Sequence, residues 1–232
     1  MAGVTATTVH GHIVYVDTDE TQRWVGVVGP SVTRFEFDAV TYAADMFTVT
    51  AVNGSTIAQV AGALGGNIVL TADTAENDGV QAQLLGEAFY LNGDYPAYFG
   101  ARFKAADVDQ TDILVGLCIT DTTTIAGVSD GAYFRSVDES AVLNFVLEQD
   151  SVETSNATDT LVDDTWVVAE FYYDGTTNIY AYADGVLVAT VALTDANFPD
   201  DEYLSPILAM LTGEAIANTL TIDWVRAYQI RE

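Results

Sequence analysis

The chain has 232 residues, of which half are hydrophobic, and 34 acidic residues against 7 basic ones give it a formal net charge of −27. This charge argues against nucleic acid as a partner, because the phosphates would be repelled, and against an anionic membrane surface for the same reason. A disordered acidic chain would have low hydrophobicity, whereas this one has a mean hydropathy of +0.21. We therefore expect a folded core beneath an acidic surface.

Residues 1–40 stand apart from the rest of the chain. Short strands are predicted at His10 to Tyr15 and at Trp24 to Val28, with a polar turn at residues 17–20 between them. Gly29-Pro30 ends the second strand. We predict an N-terminal arm or extra hairpin over residues 1–40 and one domain over residues 41–232. The sequence shows no secretory signal and no apolar run as long as a membrane span, so synthesis in a cytoplasm is expected.

Short strands separated by turn residues are predicted in the next segment, at residues 45–52, 56–60, 67–72 and 80–89. The Asn-Gly and Asp-Gly pairs between them are typical of hairpins. The segment 55–64 also fits one short helix, but its glycines and β-branched residues favour a strand.

Longer strands are predicted from residue 97 onward, at residues 97–104, 113–120, 132–135 and 142–148. The polar stretch 149–164 is predicted to be a break. Cys118, the single cysteine, lies in an apolar run, which predicts a buried, inert thiol rather than a nucleophile.

The last segment, Trp166 to Arg231, alternates apolar and polar residues and is cut by Asp174-Gly175 and Asp184-Gly185. Period-two alternation between such turns predicts antiparallel hairpins. The closing strand is predicted to lie in the middle of a sheet, with one face formed by Leu220, Ile222, Trp224 and Arg226. Many short strands at regular spacing predict an all-β fold, an antiparallel jelly-roll β-sandwich.

Two motifs resemble the concanavalin A-like lectin/glucanase jelly roll: ARFK at residues 101–104 and IDWVRAYQ at residues 222–229. The resemblance covers residues 45–230. The stretches 93–123, 129–140 and 147–155 also look like a family of tailed-bacteriophage virion proteins that carry this jelly roll. That resemblance implies a structural protein of the capsid surface, most simply a decoration protein that binds the major capsid protein and copies of itself.

A glucanase of this fold needs paired carboxylates, usually as Glu-x-Asp-x-x-Glu on one strand face. The nearest match begins at Glu36 and Asp38, but Thr41 stands where the last acid should be. The motif also precedes the ARFK strand, whereas in the glucanases it follows it. We therefore predict no catalytic residues and a protein that is not an enzyme.

Acidic loops offer oxygen ligands for a structural Ca²⁺ at residues 17–20, 107–112, 163–164 and 200–202. None has the spacing of an EF-hand, so the sequence assigns no metal-binding residue. His10 and His12 have alternate spacing that would place both rings on one strand face, but two ligands do not make a zinc site. No cofactor is expected.

The alternative function is a carbohydrate-binding, lectin-like module with glycans as partners. Such a site needs aromatic faces and polar side chains on an accessible surface. The sequence does not determine which aromatic residues are exposed. The candidates are Tyr133, Phe134, Tyr172, Tyr173, Tyr180 and Tyr182.

Overall fold

A computed structural model describes residues 3–18, 23–40, 42–63, 65–123, 125–137 and 139–231. In chain order the strands are β1 (Val4–Val9), β2 (His12–Asp17), β3 (Trp24–Val28), β4 (Val32–Phe37), β5 (Phe47–Ala51), β6 (Thr56–Val60), β7 (Asn67–Thr71), β8 (Gly79–Leu84), β9 (Ala97–Ala105), β10 (Thr111–Cys118), β11 (Gly131–Ser136), β12 (Val142–Gln149), β13 (Val152–Thr160), β14 (Val167–Tyr173), β15 (Asn178–Ala183), β16 (Val186–Ala192), β17 (Ser205–Thr212) and β18 (Thr219–Ile230). One 3₁₀ turn, Ala44–Met46, precedes β5. Within the described residues, no helix has the length and apolar character needed to cross a membrane.

The strands form two large antiparallel sheets and one small one. The seven-stranded sheet has the order β13-β12-β11-β10-β17-β8-β5, and the eight-stranded sheet has the order β16-β15-β14-β9-β18-β7-β6, with β4 also paired to β18. The N-terminal sheet has the order β1-β2-β3. This arrangement confirms the predicted all-β jelly-roll sandwich.

Aromatic side chains from the inner faces of the two large sheets fill the core. Phe99 and Phe171 from the eight-stranded sheet stack with ring centroids 5.5 Å apart, and Phe145 from the seven-stranded sheet lies 5.6 Å from Phe171. All three rings are fully buried. Two sheets packed face to face in this way expose two outer faces on which a site can form.

β18 lies in the middle of its sheet, as predicted, between β9 on one side and β4 and β7 on the other. The predicted face is wrong beyond Ile222. The register with β9 shifts between Ile222 and Trp224, and such a bulge reverses the alternation of side chains. Val225 therefore faces the core, while Trp224 and Arg226 face outward.

Three strands were absent from the sequence-based prediction. β13 occupies the predicted break at 149–164, and its exposed, polar residues explain why no apolar pattern marked it. β1 is likewise exposed from Val4 to Thr8. β4 falls within residues 1–40 but pairs with β18; the division at residue 40 stays a prediction. The segment 55–64 contains a strand, β6, rather than a helix.

Candidate functional site

The N-terminal sheet packs on the outer face of the eight-stranded sheet through its tryptophan. Trp24 is 2% exposed. Its ring stacks on Tyr98 at 6.3 Å with an interplanar angle of 14°, and lies 5.4 Å from the ring of Tyr172. Val14, Val16 and other inward residues of this sheet join the same buried cluster. The sheet is therefore docked on the sandwich by an apolar contact.

A buried ion pair also holds the N-terminal sheet on the eight-stranded sheet. Arg23 Nε donates a hydrogen bond to Glu170 Oε1 at 2.7 Å, and its NH2 group donates to Oε2 at 2.5 Å. The Tyr98 hydroxyl donates to the same carboxylate. Burial, together with the negative charge of Glu170, raises the pKa of Tyr98 well above its ordinary value. The Tyr98 hydroxyl thus remains a donor, and the bidentate arginine fixes the small sheet over β14.

A cleft of about 430 Å³ lies between β1 and β14. It is lined by Thr5, Ala6, Thr7, Val9, Val16, Trp24 and Tyr172. Thr5 and Thr7 lie opposite Val16 and Val14 in the β1–β2 pair, so their side chains point to the docked face as well. Hydroxyl groups therefore line the roof of the cleft, and aromatic rings line its wall and floor.

The aromatic floor continues beyond the cleft onto β15. Tyr180 stacks with Tyr172 at 6.3 Å and an interplanar angle of 17°. The Tyr180 hydroxyl accepts a hydrogen bond from Asn178 Nδ2 at 3.2 Å and donates to Asp174 Oδ2 at 3.5 Å. We call the surface formed by Thr5, Thr7, Trp24, Tyr172 and Tyr180 the tyrosine cleft.

Two pKa shifts define the chemistry of the cleft. Burial, with the charge of Asp174 and the neighbouring Tyr180, raises the pKa of Tyr172 to about 12. Burial works against ionisation of Asp174, but hydrogen bonds from the backbone N–H groups of Thr177 and its neighbours outweigh it and lower the pKa of Asp174. At neutral pH the cleft thus offers a protonated phenol beside an ionised carboxylate.

The structure separates the six aromatic candidates into two groups. Tyr172, Tyr180 and Tyr182 are half-buried on the outer face of the eight-stranded sheet. Tyr133 and Phe134 are fully buried, and Tyr173 is buried with its hydroxyl donating to Gly93 O at 2.9 Å. Trp24 and the two threonines of the cleft were missed, because the sequence does not show that the N-terminal sheet docks beside these tyrosines.

The incomplete glucanase motif forms no paired-carboxylate site. Glu36 and Asp38 are both exposed. Glu36 Oε1 accepts a hydrogen bond from the Tyr228 hydroxyl at 2.9 Å, and Asp38 Oδ1 accepts one from the Val40 N–H at 3.3 Å. Thr41 lies outside the described residues. Both acids accept hydrogen bonds at the surface, and the absence of catalytic residues stays a prediction.

The histidines do not share a strand face. His10 lies in the β1–β2 turn with a φ of 46°, and His12 begins β2. The expected alternation fails because His10 adopts a left-handed turn conformation rather than an extended one.

Carboxylates of the acidic loops accept hydrogen bonds from backbone N–H groups of the chain. Asp163 Oδ1 accepts a hydrogen bond from the Val108 N–H at 2.9 Å, and Asp107 Oδ1 accepts one from the Gln110 N–H at 3.2 Å. Among the described residues, no group of three or more His, Cys, Asp or Glu side chains is placed to hold a metal ion. Part of the 17–20 loop lies outside those residues, and the predicted Ca²⁺ is untested. Cys118 is buried, and burial raises the pKa of its thiol well above the ordinary value.

A second polar cluster lies on the outer face of the seven-stranded sheet. The Tyr133 hydroxyl donates to Glu148 Oε2. Arg135 NH1 lies 3.4 Å from the Tyr133 hydroxyl, and Arg135 NH2 donates to Glu153 Oε2 at 2.5 Å. Glu148 and Glu153 are directly opposite in the β12–β13 pair, so both side chains leave the same face. Burial outweighs the contacts of Tyr133 and Arg135 and raises the pKa of Glu148.

A loop of the chain packs on part of this second face. Gln81 Nε2 donates to Asp121 O at 2.9 Å, and Gln83 Nε2 donates to Ile119 O at 2.8 Å. Ile125 and Val128 of the same loop are buried against Leu114 and other apolar residues of the sheet. The two outer faces therefore differ: one carries an aromatic cleft, and residues 119–123 and 125–130 pack on part of the other.

No family model matches the sequence, and no curated protein matches it. Solved structures do match. An endo-1,3-β-glucanase from Streptomyces sioyaensis aligns with a TM-score of 0.58 at 10% identity over 90% of this chain and 100% of that chain. A glycoside hydrolase family 16 endo-glucanase from Bacteroides ovatus aligns with a TM-score of 0.59 at 12% identity over 83% and 99%.

The carbohydrate recognition domain of Emp46p, in a potassium-bound form, aligns with a TM-score of 0.57 at 9% identity over 82% of this chain and 93% of that chain. At such identities the likeness establishes the fold, which is the concanavalin A-like jelly roll that the ARFK and IDWVRAYQ motifs predicted.

These neighbours also correct one expectation. The prediction that the chain is not an enzyme is contradicted, because glycoside hydrolases are prominent among the structures that share its fold. None of these three proteins is described as a virion component, so the predicted capsid role gains no support from them.

Proposed function

We propose that the protein binds carbohydrate in the tyrosine cleft. The observation that carries the proposal is the pair of half-buried rings, Tyr172 and Tyr180, beside the threonine hydroxyls of β1, with Trp24 buried behind Tyr172. A sugar ring has an apolar C–H face and a rim of hydroxyl groups. Aromatic rings cover the first, and Thr, Tyr, Asn and Asp side chains bind the second.

The size of the cleft fits this use. Its volume of about 430 Å³ lies in the range of roughly 300–1,000 Å³ that is usual for small-molecule sites. A carbohydrate recognition domain among the structural neighbours supports the same class of ligand.

The negative charge of the protein limits the class of sugar that can bind. Asp174 is hydrogen-bonded at the edge of the cleft, and the whole chain has a net charge of −27. A uronic acid or a sulfated sugar would be repelled by both. The preferred ligand is therefore a neutral sugar.

A glycan array followed by calorimetry tests the proposal. We expect the wild-type chain to bind a neutral oligosaccharide, and Tyr172→Ala to weaken that binding by roughly tenfold or more, because it removes the central ring of the floor. Tyr172→Phe keeps the ring and removes only the hydroxyl, so a smaller loss is expected.

Tyr203→Ala is the matched control. Tyr203 is 55% exposed and stacks on Tyr90 at 4.7 Å, in a tyrosine pair that does not line the cleft. Its loss should leave binding unchanged. Equal effects of the Tyr172 and Tyr203 substitutions, or no binding of any neutral glycan, would contradict the proposal.

A second candidate function is glycoside hydrolysis at Glu148. The specific observation is a buried carboxyl with a raised pKa directly opposite a second carboxylate, Glu153. Glycosidases use such a pair, in which the acid with the raised pKa donates the proton. Sugar release that disappears in Glu148→Gln and persists in Glu202→Gln, a change at an exposed loop acid, would support this candidate. Release that is absent from the wild-type chain would remove it.

A further inference from the structure

β1 has a free edge. It is the outer strand of the N-terminal sheet, and no described strand pairs with its other side. The β1–β2 loop is the two-residue turn His10-Gly11, with φ angles of 46° and 79°. The closing pair of such a hairpin, Val9 and His12, exchanges hydrogen bonds, and the pattern then alternates. Val4, Ala6 and Thr8 therefore turn their N–H and C=O groups to the free edge.

This edge lacks the features that normally keep sheet edges apart. Natural edge strands carry charged residues, proline or bulges, or are very short. β1 has six residues, VTATTV, with no proline and no charge, and its register with β2 shows no shift. Its residues from Val4 to Thr8 are all exposed. The strand is thus a ready template for another strand.

Charge repulsion between two copies is also weak at the N-terminal sheet. Residues 3–16 contain no Asp, Glu, Lys or Arg, in a chain whose net charge is −27. The outward face of the sheet is apolar as well. Its exposed apolar side chains are Val4 (58%), Ile13 (48%), Tyr15 (40%) and Val28 (54%). Two copies can meet here without bringing like charges together.

We propose that β1 pairs antiparallel with β1 of a second copy, across a two-fold axis at Ala6. Outward-facing residues must pair with outward-facing residues, so Ala6 lies opposite Ala6 of the second copy, and Val4 lies opposite its Thr8. Thr5 then lies opposite Thr7 on the other face, and Thr–Thr pairs of this kind are favourable across strands. The contact is self-complementary, as a two-fold interface requires. Two three-stranded sheets become one sheet of six.

The dimer is weak by this argument. One six-residue edge buries less than the roughly 1,000 Å² that a stable interface needs. Salt should strengthen the dimer, because the Debye length shortens from about 30 Å at 0.01 M to about 3 Å at 1 M, and the acidic bodies then repel each other less. The inference does not depend on carbohydrate binding.

Sedimentation equilibrium over a range of protein and salt concentrations tests the proposal. We expect a monomer–dimer equilibrium whose dimer fraction rises with salt, and an association constant at least tenfold lower in Ala6→Asp, which places two carboxylates at the axis. Val186→Asp is the control: it adds the same charge at a 64% exposed residue of β16, another edge strand. A monomer at every concentration, or an equal loss in both variants, would overturn the proposal.

A cross-link makes the test independent of affinity. Hydrogen-bonded residues in an antiparallel pair have Cα atoms about 5.5 Å apart, within the range that a disulfide spans. Ala6→Cys should therefore form a covalent dimer under mild oxidation, since the native Cys118 is buried. Thr8→Cys, which lies opposite Val4, should cross-link much more slowly. Equal rates in the two variants would contradict a two-fold axis at Ala6.

Discussion

Two buried glutamates lie on opposite outer faces of the sandwich, and each accepts a hydrogen bond from a tyrosine. Glu170 accepts from Tyr98 on the eight-stranded sheet, and Glu148 accepts from Tyr133 on the seven-stranded sheet. The same residue types surround both, but the arginines differ. Arg23 binds Glu170 directly through two nitrogens, whereas the side-chain hydrogen bond of Arg135 to a carboxylate goes to Glu153.

That difference separates a contact that docks two sheets, at Glu170, from a buried carboxyl without a direct arginine partner, at Glu148. Arg23 comes from the N-terminal region, 147 residues from Glu170 in sequence, so the pair joins two sheets and holds the roof of the tyrosine cleft in place. Arg135 lies on the same strand as Tyr133 and is turned toward the sheet edge. Glu148 is then left with a phenol as its direct partner, and burial raises the pKa of its carboxyl.

The largest expected effect is on stability, from Arg23→Met. Glu170 has a side chain only 2% exposed, and removing one partner of a buried pair costs roughly 3–5 kcal/mol because a charge is left without compensation. Urea unfolding measures the loss. Limited proteolysis should also cut the N-terminal sheet faster in this variant, because its docking is weakened.

Arg135→Met is the comparison for that experiment. The side chains of Arg135 and Glu153 are 21% and 40% exposed, and pairs with this much solvent contact contribute about 1 kcal/mol or less. If the two arginine variants lost equal stability, the contrast between the two glutamates would be wrong.

A smaller effect is expected on the pH dependence of stability. Because the pKa of Glu148 is raised in the folded state above its ordinary 4.5, the folded chain holds this proton more tightly than the unfolded chain does. The resulting stabilisation is full below the ordinary pKa and is lost as pH rises through the higher folded value. The free energy of unfolding of the wild-type chain should therefore fall, relative to that of Glu148→Gln, as pH rises from about 4.

Urea titrations of both proteins at a series of pH values measure this difference. A difference that stayed flat, or that grew in favour of the wild-type chain as pH rose, would show that the Glu148 carboxyl is not destabilised by burial.

The fold was largely predictable because its signals are local. The Asp184-Gly185 turn, with positive φ at both residues, joins the strands that the alternating pattern marked. β13 carried no such signal, since its residues are polar and mostly exposed. The bulge in β18 was also hidden, because one inserted residue changes the direction of every later side chain without changing the composition.

The candidate site was predictable only in part, because it is assembled from distant segments. Tyr172 and Tyr180 were proposed as aromatic candidates from sequence. Trp24 and the threonines of β1 belong to a region that reads as a separate arm, and the contact of Arg23 with Glu170 that brings this region onto β14 has no local pattern. Sequence alone therefore identified the floor of the cleft but not its wall or roof.

The most direct test is to map where a neutral oligosaccharide binds, by following backbone amide shifts in two-dimensional NMR during a titration. Binding in the tyrosine cleft predicts the largest shifts for residues 5–9 and 172–180, with little change on the seven-stranded sheet. Shifts confined to residues 119–136 and 144–153 would place the ligand on the opposite face, beside Glu148, and would contradict the proposed site.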